Sequence, residues 1–211
     1  MTLTWYGLSS FKIASVGGET TIITDPFSAS ESGLTAPRGG ASIVLISKDN
    51  KLHNNIDGIT GEPKILRNPG EFDINGVHIR GIYDGGRGDG TIIFHIEVDG
   101  VKIGFLGGLV SRELTEQQLE DLNGVDVLLI PVGGKEKVCN WEWASHIVQQ
   151  IEPRFVVPCF FKQPGLKFDL DSPEKFVKEL GNEPQNLERL TLKPKDVAGD
   201  ITQVVLLSPQ R

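Results

Sequence analysis

Val44-Leu45-Ile46-Ser47-Lys48-Asp49-Asn50-Lys51-Leu52-His53-Asn54 decides how this chain is read, because an apolar strand runs straight into a polar loop that ends on a histidine. A loop at the end of a buried strand holds its side chains on a rigid support, which is where binding and catalytic groups concentrate. The groups offered here are mixed. Lys48 has no lone pair while protonated, Leu52 has none, and the Asn50 amide is a poor donor to a borderline-soft ion such as zinc. His53 carries a nitrogen suited to a metal or to proton transfer, and Asp49 lies between the lysine and the amide.

Outward from this loop, the chain has 211 residues, of which 38% are hydrophobic and 23% charged. That is ordinary globular composition, and a chain of this size can bury a core without disulfide or metal staples. No low-complexity tract marks a linker, so one domain spanning 1–211 is expected. The net charge of -7 and pI near 5.1 oppose attraction to phosphate backbones and anionic membranes, which argues against nucleic acid as a partner. The chain has no apolar run of about 18 residues, and the start Met1-Thr2-Leu3-Thr4-Trp5 lacks the regions of a signal peptide, so a cytoplasmic protein is expected. Cys139 and Cys159 read as reduced core thiols, the latter inside the apolar run 155–161.

Alternating or apolar runs at 2–6, 11–14, 20–24, 43–47, 64–67, 77–82, 92–98 and 101–105 predict a strand-rich first half. Asp99-Gly100 and Asn75-Gly76 are hairpin turns that want positive φ at both central residues. The second half alternates helices and strands. Thr115 with Gln118 forms a capping box, Asn140 can cap a helix whose Ala144, Ile147, Val148 and Ile151 share a face, and Asp171-Ser172-Pro173-Glu174 starts a third helix that Gly181 ends. Strands are predicted at 125–130, 155–157, 190–192 and 201–207. The fold class is α/β, two packed sheets with helices outside.

The order of these segments resembles the metallo-β-lactamase superfamily, and within it the small bacterial zinc-dependent hydrolases that include ascorbate-6-phosphate lactonase-like proteins. Thr4-Trp5-Tyr6-Gly7-Leu8-Ser9-Ser10-Phe11-Lys12-Ile13 resembles the family's first hairpin, and Thr24-Asp25-Pro26-Phe27 its Asp-Pro turn. Asp126-Val127-Leu128-Leu129-Ile130-Pro131-Val132-Gly133-Gly134 resembles a family strand with its terminal glycine pair, and Ile151-Glu152-Pro153-Arg154-Phe155-Val156-Val157-Pro158 the strand leading to a metal-binding histidine. The resemblance implies an αββα sandwich of two mixed sheets flanked by helices, a zinc cofactor, and ligands from a His-x-His-x-Asp-His loop. Here that loop reads Lys48-x-Asn50-x-Leu52-His53. The family's next histidine would fall in the loop after the 77–82 strand, where Tyr83-Asp84-Gly85-Gly86-Arg87-Gly88-Asp89-Gly90 has none. The bridging aspartate corresponds to Gly108 and the last histidine to Phe160.

Two metals need several ligands and an open position for water, and one histidine cannot supply them. The leading expectation is therefore a fold member that has lost its zinc ligands, with no cofactor, and binds an unknown small molecule or protein or takes part in an assembly, a homo-oligomer included. The alternative is a hydrolase of a phosphorylated sugar, ester or lactone, with His53 as general base, Asp49 orienting it and Lys48 holding an anion. The pocket candidates are Lys48, Asp49, Asn50, His53, Asp84, Gly108 and Phe160. Lys48 is expected to replace part of the missing metal charge beside Asp49, Asp25 or Asp84. His78, His95 and His146 have no metal-type spacing, and the glycine-rich 85–91 segment lacks the Gly-Lys-Ser/Thr ending of a phosphate loop. Trp141, Trp143, Phe160 and Phe161 are expected in the core or lining a pocket.

Overall fold

The computed structural model of the protein describes residues 1–85, 90–181, 183–199 and 201–210. The first half builds one sheet from β1 (Thr2–Gly7), β2 (Ser10–Ala14) and β3 (Thr21–Thr24), which pair antiparallel. A short helix α1 (Ala29–Ser32) follows, then β4 (Gly39–Gly40), β5 (Ile43–Leu45), β6 (Ile59–Thr60) and β7 (Lys64–Leu66). β5 and β7 extend the sheet in parallel, while β4 and β6 form a small ladder of their own.

The second sheet starts as an antiparallel meander of β8 (Gly70–Ile74), β9 (Val77–Asp84), β10 (Thr91–Val98) and β11 (Val101–Phe105). It continues through α2 (Glu116–Asp121), β12 (Val127–Pro131), α3 (Trp141–Ile151), β13 (Phe155–Cys159) and α4 (Glu174–Glu179). β14 (Gln185–Leu187), β15 (Leu190–Thr191) and β16 (Gln203–Leu207) close the chain. The strand orders are β15-β1-β2-β3-β5-β7 and β14-β16-β13-β12-β11-β10-β9-β8. β15 crosses over to pair with β1 in the first sheet.

Alternation along the strands turns Leu3, Trp5, Phe11, Ile13, Ile43 and Leu45 of one sheet toward Phe94, Ile96, Phe105, Leu129 and Val157 of the other, and these form one buried cluster. α3 buries Ala144, Ile147 and Val148 on the outer face of the second sheet, against a cluster with Leu128, Ile130 and Val156, joined by Phe176 of α4 and by Leu122 at the end of α2. The outer face of the first sheet carries Ile23, Val44 and Ile46, covered by Ile56 and Ile59 of the 48–62 segment. The helical cover is thus concentrated on the second sheet, a lopsided form of the expected sandwich.

Local signals in the sequence are met by local structure. Thr115 and Gln118 form the capping box, and the Asn140 side chain accepts from the Trp143 amide. Asp99 and Gly100 have φ of 54° and 70°, and Asn75 and Gly76 have 51° and 75°. Four strands escape the pattern reading: β4 and β6, two residues each, are too short to show a period, and β8 and β14 are edge strands with one polar, solvated face. In β8, Glu71 faces Arg80 of β9 and the two make an ion pair at 2.6 Å. α4 also starts differently: Pro173 is its N-cap without a side-chain bond, and the Asp171 carboxylate faces Lys135 at 3.2 Å. No described helix is long and apolar enough to cross a membrane.

Phe94 and Phe105 stack between the sheets with ring centroids 6.4 Å apart. Phe105→Ala should lower the unfolding free energy by about 3–5 kcal/mol, and Val16→Ala, at a side chain 67% exposed, should change it by about 0.5 kcal/mol or less. Urea denaturation of the two variants measures this, and equal losses would contradict the assignment of the core.

Candidate functional site

The loops that follow β3, β5, β11 and β13 converge at one end of the sandwich, at the carboxyl ends of the parallel strands. Asp25 terminates β3 with φ of 36° and is completely buried. Its Oδ2 accepts from Ser9 Oγ at 2.8 Å and Ser47 Oγ at 2.6 Å, and its Oδ1 from the Ser47 amide at 2.7 Å. Ser47 Oγ accepts in turn from the Gly108 amide at 3.0 Å. One carboxyl group therefore ties the β1–β2 turn, β3, the end of β5 and the loop after β11 together. Burial pushes the Asp25 pKa up to about 7, outweighing the bonds from Ser47 and Ser9 and the charge of Lys48, which act the other way.

The 48–54 loop folds onto itself and onto the Asp25-Pro26-Phe27-Ser28 turn. The Asn55 amide donates to Pro26 O at 2.7 Å and the Ser28 amide to Lys51 O at 2.8 Å. Asn50 Oδ1 accepts from the Leu52 amide at 3.0 Å and lies 2.8 Å from His53 Nδ1. An oxygen that takes an amide proton is an acceptor, so it assigns the proton to Nδ1 and leaves the lone pair on Nε2. Nε2 is buried and has no hydrogen-bond partner among the described residues. The imidazole lies nearly parallel to Phe160, at 9° with centroids 5.5 Å apart. Burial, with the Lys48 charge adding to it, drives its pKa down to about 3.

Gly108 is the complement of this ring. A Cβ at position 108 would stand 2.7 Å from His53 Nε2, so the imidazole occupies space that any side chain there would need. Gly133 is constrained in the same way, since a Cβ would meet Phe160 O at 2.0 Å. This close approach lets the 133–134 pair pass beneath the β13 loop, where the Phe160 amide donates to Leu8 O at 3.0 Å.

The sequence-predicted residues separate into two groups. His53, Asn50, Gly108 and Phe160 come together, and the charge of Lys48 is felt by both Asp25 and His53. Asp49 does not orient the histidine as expected. It is exposed and accepts from Asn54 Nδ2 at 2.7 Å, and the Asn50 amide takes that position because the tight 50–53 turn brings it within reach. Asp84 accepts from Ser111 Oγ at 2.8 Å and Gln118 Nε2 at 3.4 Å, which binds β9 to the start of α2. Leu52 is partly buried against the main core.

Ser9 and Ser47 are not singled out by sequence reasoning. A serine hydroxyl at a strand end or turn looks like a surface group until the fold buries it, whereas the charged Asp25 at the end of an apolar strand is a legible signal. The 86–89 part of the glycine-rich segment, with Arg87-Gly88-Asp89, lies outside the described residues. Cys139 and Cys159 are free and buried, which pushes the Cys139 thiol up to about 12 and the Cys159 thiol well above its ordinary value, so both read as core thiols.

A family profile described as a beta-lactamase superfamily domain matches residues 2–160. The chain belongs to the metallo-β-lactamase superfamily. It is 33% identical, over 176 residues covering 77% of this chain and 72% of the relative, to a protein of Thermococcus onnurineus (strain NA1) named UPF0173 metal-dependent hydrolase. A crystal structure from Thermotoga maritima, described as a Zn-dependent hydrolase of the superfamily, superposes with TM-score 0.81 at 29% identity, covering 98% of this chain and 97% of that one. A metallo hydrolase from Ignicoccus hospitalis shares the fold with TM-score 0.67 at 16% identity, covering 100% and 96%.

The superfamily fold implies a metal, and the residues at the corresponding positions do not fit one. Lys48, Leu52, Gly108 and Phe160 offer no donor to a cation, Asn50 is committed to His53 and Leu52, and Asp25 is saturated by hydroxyls and an amide. Among the described residues no group of three or more His, Cys, Asp and Glu could hold a metal ion.

Gly108→Ala should cost about 1–3 kcal/mol through overpacking. The same change in a His53→Ala background should cost much less, and additive losses in a double-mutant cycle would contradict the contact. The linkage to pH has opposite signs at the two buried groups. With its pKa lowered from 6.5 to about 3, His53 contributes stability that is present above 6.5 and lost as pH falls toward 3. With its pKa raised from 3.8 to about 7, Asp25 contributes stability that is present below 3.8 and lost as pH rises through 7. His53→Gln should therefore move the acid-unfolding midpoint to lower pH, and Asp25→Asn should flatten the loss between 4 and 7, both read from denaturation at stepped pH.

Proposed function

We propose that this protein uses the metallo-β-lactamase scaffold to bind a ligand or partner, with the two-metal hydrolytic centre replaced by packed side chains. A single observation carries the reading: His53 is stacked on Phe160, bonded to Asn50 and seated where a side chain at position 108 would have to stand. That arrangement packs the imidazole inside the protein, with one ring nitrogen bonded within the loop. A two-metal site needs the reverse, several donors aimed at a common point with a position left open for water. With a pKa of about 3, His53 is a weak proton acceptor at neutral pH, far from the near-neutral value that suits a general base. The cytoplasmic location read from the sequence belongs with this proposal.

A second reading is hydrolysis of a phosphorylated sugar, ester or lactone. The comparisons favour it, because the relatives from Thermococcus and Thermotoga are both described as metal-dependent hydrolases. One feature of the site supports it as well: the Nε2 lone pair of His53 has no described partner. In this reading Asn50, not Asp49, would hold the imidazole, and Lys48 would supply the charge nearby.

Elemental analysis after purification from zinc- and manganese-supplemented medium separates the two, together with hydrolysis assays on a phosphomonoester, an aryl ester and a lactone. The first reading expects metal well below one equivalent in a fully folded protein, and no turnover that His53→Gln abolishes. Stoichiometric metal, or turnover lost in that variant, would overturn it in favour of the hydrolase.

A further inference from the structure

A cavity of about 1200 Å³ has Lys48, Ser111, Arg112, Lys137, Asn140 and Trp143 among its lining residues. The charges around it are not equivalent. Lys135 is held by Asp171 at 3.2 Å and Asp169 at 3.7 Å, while Glu113 and Glu136 also face the space. Arg112 and Lys137 are arranged differently. The Arg112 guanidinium lies 4.8 Å from the Trp143 ring centre, and the Lys137 ammonium 5.0 Å from that of Phe168. Neither makes an ion pair with a described residue. An aromatic face steadies a cation without cancelling its charge, so two cations line the cavity without an ion-pair partner among the described residues.

A third contribution comes from the backbone. The eleven-residue helix α3 begins at this wall, with its N-cap Asn140 and Trp143 both lining the cavity. A helix N-terminus carries a partial positive charge of roughly half a unit and favours anions. The cations, the helix end and the space all meet at one place in a chain whose net charge is -7.

We propose that this cavity binds a small-molecule polyanion, anchored by Arg112 and Lys137 at the start of α3. The inference rests on the ligand-binding reading above and gives it a ligand class. Phosphoryl groups and clustered carboxylates present the same chemistry to these cations, so inorganic pyrophosphate and citrate are the two probes. Because Arg112 and Lys137 are exposed, their substitution should leave the fold intact.

The test is titration of the full chain with each probe at low ionic strength, read by calorimetry and by thermal shift, for the parent, R112Q/K137Q and the charge-matched control K175Q/K178Q. The control removes Lys175, which also sits over an aromatic ring, Trp141 at 5.9 Å, but does not line this cavity. Saturable binding of at least one probe is expected, weakened about tenfold or more in R112Q/K137Q, a loss of about 1.4 kcal/mol, and unchanged in the control. Response to pyrophosphate alone assigns the phosphoryl class, and response to citrate alone the carboxylate class. No saturable binding of either probe, or equal weakening in both variants, would overturn the inference while leaving the metal-free reading standing. Binding that disappears after chelator treatment of a metal-containing preparation would overturn both.

Discussion

The buried Asp25 carboxyl group holds the functional end of the molecule together. A carboxyl group taken out of water is costly unless its oxygens are hydrogen-bonded, and here Ser9, the Ser47 hydroxyl and the Ser47 amide do this. Because Ser47 also receives the Gly108 amide, the network crosses from the first sheet to the second. Three loops of the site are then placed relative to Asp25: the turn before β2, the loop that carries Lys48 and His53, and the loop after β11. A network of this kind specifies one arrangement, since a half-satisfied version would leave polar groups stranded in a low-dielectric interior.

On that frame the histidine loop packs against Phe160 and Gly108, the arrangement on which the metal-free proposal rests. Asn50 fixes the imidazole tautomer, Phe160 covers its face, and Gly108 yields it space. These features depend on one another. A side chain at 108 would collide with the ring, and charging the ring would place an imidazolium in a buried site already under the field of Lys48. The sandwich itself is held by the apolar interior between its sheets, so the end of the fold is free to carry either metal ligands or packed side chains. Membership of the superfamily therefore fixes the scaffold and leaves the chemistry to the site.

Much of the fold is legible in the sequence because its signals are local. Alternation marks β1, β9 and β10, Asp-Gly and Asn-Gly mark their hairpins, and Asn140 marks the start of α3. β8 and β14 are missed because an edge strand with one wet face lacks the apolar alternation that gives a buried strand away. The site is legible only in part. Asp49 looks like the natural partner of His53 in sequence, yet the turn through 50–53 brings Asn50 Oδ1 to the ring's Nδ1 and leaves Asp49 with Asn54.

What the sequence by itself determined is the strand and helix pattern and the donor set at the histidine loop, since whether a side chain has a lone pair for a metal is a property of that residue alone. The tertiary structure decided how those residues are arranged. The stacking of Phe160 on His53, the fit of the imidazole against Gly108, the sharing of Asp25 among Ser9 and Ser47, and the presentation of Arg112 and Lys137 to one cavity all join residues far apart in the chain. Such contacts are set by how the two sheets and α3 pack, and burial and field strength exist only after that packing has removed the water.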